Sequence, residues 1–124
     1  MEHLKTALIS SFAIWLSTPA TASNDFVPIY EKAKFEELVV GRTLRLGLFG
    51  VELTVLNDGT IAGKAIGSDV SGTWSWEDGL FCRTMDWSGY EIEYNCQLVE
   101  ASADQKVRFT VDGGKGRSGT FSIR

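Results

Sequence analysis

From Thr43 to the end of the chain, apolar and polar residues alternate with a period of two, and a turn signal breaks the pattern every few residues. Leu44, Leu46 and Leu48 alternate with Thr43, Arg45 and Gly47; Val51, Leu53 and Val55 follow. Asn57-Asp58-Gly59 is a hairpin turn into a strand over 60–66. Val70, Gly72, Trp74 and Trp76 share a face, and Glu77-Asp78-Gly79 turns that strand into the next, over 80–87. Ile92, Tyr94, Cys96 and Leu98 mark a strand over 91–99, Val107, Phe109 and Val111 another, and Gly119, Phe121 and Ile123 the last. Eight short strands joined by such tight turns must be antiparallel, because parallel neighbours need long crossovers. An eight-stranded meander hides its edges by closing, so the pattern predicts an all-β, antiparallel up-and-down barrel of eight strands. A two-sheet sandwich with similar strand spacing is the alternative.

The alternation starts late. Lys5 precedes an apolar run over 6–16, then Ser17, Thr18, Pro19 and the small-residue triplet Ala20-Thr21-Ala22. That order reads as a secretory signal peptide over 1–22, with the barrel domain over 23–124. The run is too short for a stable membrane anchor. The one histidine, His3, leaves with it, removing imidazole from any nucleophile pair or zinc site. Between the leader and the strands, Phe35, Leu38 and Val39 fall at i, i+3 and i+4 before Gly41, which predicts one amphipathic helix over about 30–40, packed over a barrel opening or a sheet edge.

Two cysteines in a small exported domain read as one disulfide, Cys82–Cys96. Pairing them sets Thr84 opposite Tyr94 and leaves Ser88-Gly89-Tyr90 as a three-residue hairpin loop. Cys96 lies on the apolar side of its strand, so Cys82, Thr84 and Asp86 are expected to point inward. Phe81, Arg83, Met85 and Trp87 then point outward, unless a bulge flips part of the strand. Two binding surfaces follow. One is an exposed hairpin patch of Phe81, Arg83, Met85, Trp87 and Tyr90. The other is an interior lined by Trp74, Trp76 and Tyr94, with Thr84 and Asp86 near its mouth. An inward Asp86 needs a cationic partner, for which Arg45, Arg83 and Arg108 are candidates.

Several chemistries lack support. Lys plus Arg is 12 against 16 Asp plus Glu, so the basic excess of a nucleic-acid binder is missing. Gly114-Lys115-Gly116-Arg117-Ser118-Gly119 has the G-x-G-x-x-G spacing, but only five residues follow and they read as a strand, so this is a hairpin loop. The Asp-Gly pairs at 58, 78 and 112 are turn signals without calcium-loop spacing.

The stretch GTWSWEDGLFCRTMDW over 72–87, followed by Tyr94-Asn95-Cys96-Gln97, resembles a group of small exported proteins of alphaproteobacteria, from about Phe26 to the C-terminus. Some of that group carry the label dihydrodipicolinate reductase. The label implies a cytosolic two-domain Rossmann enzyme, whose length and cofactor fold this sequence lacks. A helix before eight strands with one disulfide is also similar, in layout, to small lipocalin-like periplasmic protease inhibitors. The expectation is therefore a non-catalytic exported binding or inhibitor-like domain acting by protein contact, with no cofactor or metal. The alternative is a carrier of a small apolar ligand inside the barrel; an enzyme of the reductase label comes third.

Overall fold

The computed structural model describes residues 25–124; the expected signal peptide over 1–22, with His3, lies outside the described residues. After a short strand β1 (Val27–Ile29) and helix α1 (Lys32–Leu38) come β2 (Thr43–Leu46), β3 (Val51–Val55), β4 (Thr60–Ala65) and β5 (Ser68–Glu77). Then follow β6 (Leu80–Trp87), β7 (Tyr90–Ser102), β8 (Lys106–Thr110) and β9 (Ser118–Ile123). Strands β2 to β9 pair antiparallel in sequence order, and β9 returns to β2 through Leu44↔Ile123, closing an eight-stranded barrel. Closure leaves none of the eight with a free long edge. The lead-in adds a ninth strand: β1 lies on the end of β7, with Ile29 opposite Val99.

Alternation decides what fills the barrel. Leu44, Val55, Ile61, Trp74, Phe81, Val99 and Phe109 project inward and are buried. Helix α1 lies across one end, with its apolar stripe turned in: Phe35 and Val39 are fully buried. Phe35 sits 4.9 Å from the Trp76 ring, 5.2 Å from Phe81 and 5.6 Å from Trp74. The indole N–H groups, costly to bury unpaired, reach carbonyls: Trp74 Nε1 donates to Leu56 O at 2.7 Å and Trp76 Nε1 to Tyr30 O at 3.1 Å. Gly41, at φ 83, turns the chain out of the helix, and its N–H donates to Val55 O at 2.8 Å. This end is a closed aromatic plug.

The Cys82–Cys96 disulfide is formed, with Cα atoms 3.9 Å apart. Its face is the reverse of the expected one. Trp74 pairs with Arg83 and Trp76 with Phe81, and directly opposed residues share a face, so Phe81, Arg83 and Met85 point inward. Cys82, Thr84 and Asp86 point outward with Ser75, Thr73 and Ser71. The cause is a bulge. Arg83 pairs with Asn95 and Met85 with Ile92, so Glu93 and Tyr94 together stand opposite Thr84. The bulge turns Tyr94 and Cys96 outward while Ile92 stays on the inner side. It also shortens the hairpin: Trp87 pairs with Tyr90, leaving the two-residue turn Ser88-Gly89 in place of the expected three-residue loop. Both turn residues have positive φ, 52 and 93, as that turn requires.

Candidate functional site

Beyond the aromatic plug the barrel is not filled. A cavity of about 260 Å³ lies between the plug and the β8–β9 loop. Phe81 and Phe109 form its boundary with the plug, and Leu44, Leu53, Ile61, Met85 and Phe121 its walls. Arg117, Ser118 and Gly119, where the chain enters β9, line its outer part. A second hollow of about 240 Å³, bounded by Val51, Ile66, Val70, Trp87 and Ile92, shares Leu53 and Met85 with the first. At about 30 Å³ per water, the first has room for some nine waters, or an organic molecule of about a dozen heavy atoms.

Two polar side chains are buried in this apolar wall, Arg83 at 7% exposure and Gln97 at 8%. Register explains both: Phe81 pairs with Gln97, so Gln97 shares the inner face. Arg83 stands next to the bulge, and its Nη1 donates to the Glu93 carbonyl at 2.7 Å, where the bulge interrupts the ladder. Its Nε–H is buried with no hydrogen-bond partner. None of the ion pairs among the described residues involves Arg83. Burial pushes the guanidinium below its ordinary pKa, yet an arginine remains charged at any physiological pH. A buried cation without a counter-ion inside the barrel is therefore the most unusual feature of this interior.

The other expected site residues are spread out. Trp74 and Trp76 belong to the plug, not to the cavity. Trp87 is half-buried at the second hollow, with its indole N–H on Ala65 O at 2.9 Å. Tyr90 is 70% exposed at the hairpin. Asp86, expected inside, lies on the outer wall and accepts from the Gly89 N–H at 2.8 Å. Tyr94 is also outside; its hydroxyl donates to Glu77 at 3.0 Å, and that bond to a carboxylate raises its pKa. Arg45 and Arg108, the candidate partners for an inward carboxylate, pair instead with Glu52 and Glu100. The flat hairpin patch thus does not form, since four of its five members, Phe81, Arg83, Met85 and Trp87, face inward.

One signal in the sequence pointed to Arg83. Asp78-Gly79 as a two-residue turn pairs Glu77 with Leu80 and hence Trp74 with Arg83, the register observed. The cysteine register continued without a break gives the opposite facing, and the bulge interrupts it between Arg83 and Met85. Gln97, Arg117, Ser118 and Gly119 carried no such signal. The G-x-G-x-x-G segment is a hairpin loop as expected, joining Thr110 to its partner Ser118. It nevertheless lines part of the cavity.

The cavity lining contains two arginines and no carboxylate, and no nucleophile paired with a base. Among the described residues no cluster of His, Cys, Asp or Glu could hold a metal, and no helix is long and apolar enough to cross a membrane. Comparison with family models, with curated proteins and with solved structures finds no match.

Proposed function

We propose that the protein is a non-catalytic carrier that holds a small, mainly apolar molecule inside the barrel. The carrying observation is the cavity itself: about 260 Å³ bounded by Leu44, Leu53, Ile61, Met85 and Phe121. Side chains can fill an eight-stranded barrel completely, and here Phe35 and its neighbours do so at one end only. The disulfide supports an exported setting, where such bonds persist.

The test is a fluorescent, uncharged apolar probe, N-phenyl-1-naphthylamine, titrated into wild type and Gly119→Leu. Gly119 lines the cavity, and a Cβ there meets only Phe121 at 3.6 Å, an ordinary contact, so a side chain can start there without a backbone clash and extend into the space. Wild type is expected to bind the probe and Gly119→Leu to lose it at an equal or higher melting temperature. Equal binding by both would place the probe elsewhere and end the carrier reading.

A second reading, protein contact, draws on a different observation. Leu48, Phe49, Ile66 and Tyr90 are exposed at or beside three neighbouring strand connections. Ile66 N–H donates to Gly50 O, and Ser88 N–H to Asp69 O, so these connections adjoin. An apolar rim of this kind fits a binding partner better than the flat hairpin patch does. Leu48→Ser with Tyr90→Ser separates the readings: it abolishes a protein contact and leaves probe binding unchanged.

A further inference from the structure

We infer that the cavity takes a small monocarboxylate, with its carboxylate on Arg83 and its apolar body between Leu53, Met85 and Phe121. The inference rests on the carrier reading and adds the chemical class of the ligand.

Arg83 is 93% buried by its 7% exposure, lines the cavity and has no carboxylate partner among the described residues. A buried ion is costly unless it is paired and fully hydrogen-bonded. The fold meets only part of that need. Nη1 is held by the Glu93 carbonyl, whereas Nε–H, on the other edge of the fork, has no acceptor. That edge, Nε with Nη2, is the side on which a guanidinium takes a carboxylate through two parallel hydrogen bonds; because Nε itself is closed to a water-sized molecule, the side chain must turn toward the cavity for both bonds to form.

The surroundings favour the same occupant. Arg117 is the second charged group of the lining, and no Asp or Glu lines the cavity. A cationic ligand would meet repulsion, and a neutral one could offer the Nε–H an acceptor but no counter-charge for the buried guanidinium. Most of the remaining lining is hydrocarbon, so only one end of the ligand can be charged. A volume of about 260 Å³ suits an acid of six to ten carbons. Gln97, buried at 8% exposure in the same lining, offers a further donor.

A purely structural role for Arg83, as a cap on the bulge carbonyl, predicts different behaviour and so can be tested. The probes are octanoate and its uncharged counterpart 1-octanol, each titrated by calorimetry into wild type, Arg83→Met and Gly119→Leu, and by displacement of N-phenyl-1-naphthylamine from wild type and Arg83→Met. Wild type is expected to bind octanoate at least tenfold more tightly than octanol. Arg83→Met should weaken octanoate by about ten- to a hundredfold, the loss typical of a charge-assisted hydrogen bond, and leave octanol within about threefold. Its melting temperature should hold or rise, because methionine replaces an uncompensated charge at similar volume. Octanoate affinity should also fall as pH drops through the range where a carboxyl protonates, about pH 4 to 5, while octanol affinity stays level.

If octanol binds as well as octanoate, or Arg83→Met leaves octanoate affinity unchanged, the anion site is wrong and the carrier reading survives. If neither probe binds wild type, both fall. A lowered melting temperature for Arg83→Met with unaltered selectivity would assign the arginine to the bulge alone.

Discussion

The two ends of the barrel are built from the same alternating strands but solve opposite problems. At the end covered by α1, Phe35 inserts among Trp74, Trp76 and Phe81, and both indole N–H groups find a carbonyl. Toward the β8–β9 loop, the interior contains a buried cation, an unpaired Nε–H and about 260 Å³ of space. Close packing with satisfied polar groups is what stability alone selects. The plug has that character, and the cavity departs from it on both counts. Departures from the local rules concentrate where a chain does something besides fold.

The largest effect should come from breaking the plug. Phe35→Ala removes a fully buried ring that touches four aromatic neighbours. A loss of about 3–5 kcal/mol is expected in urea unfolding, from lost transfer energy plus the cavity left behind. A loss below about 1 kcal/mol would mean that α1 is an accessory, and the contrast between the ends would fail. Next comes the crosslink on the outer wall. Replacing Cys82 and Cys96 together by alanine should cost roughly 2–4 kcal/mol, while leaving probe affinity near wild type because neither sulfur lines the cavity. Gly119→Leu is the reverse case at the other end: a change within about 1 kcal/mol or a gain in stability, with probe binding lost.

How much of this could be read from the sequence follows the same division. Period two, Asp-Gly turns and the Phe35, Leu38 and Val39 stripe were enough for the barrel, its strand order and its helical cover, because each is a local pattern. The cysteine pair was legible from count, together with the exported setting that the leader pattern led one to expect. The interior of β6 was not, because facing depends on register, and one extra residue in β7 reverses every side chain beyond it. A bulge has no sequence mark as clear as a turn. Arg83 and Asp86 therefore exchanged places, and with them the charge of the interior changed sign. Arg117 and Gly119 were legible only as loop and strand. Their position on the cavity comes from barrel closure, a pairing of β2 with β9 that joins strands far apart in sequence.

The smallest effect concerns acid, and it should separate the two ends once more. In the β3–β4 turn, beside the plug, the Thr60 hydroxyl and N–H both donate to Asp58 Oδ1, at 2.6 and 2.9 Å. These bonds, the hydroxyl's first, favour the carboxylate and hold Asp58 below its ordinary pKa. A carboxyl lowered in the folded state contributes stability above its unfolded value, near 3.9, and loses that contribution as pH falls through the folded value. Acidification below about pH 4 should therefore loosen this turn, seen as faster amide exchange at Thr60. The cavity's own charge, Arg83, does not titrate in that range, so binding of an uncharged probe should persist until the whole barrel unfolds. Thr60→Val removes the hydroxyl and should return Asp58 toward the ordinary carboxyl range in an NMR titration. An unmoved Asp58 titration in that variant would show that the turn's acid response has another source.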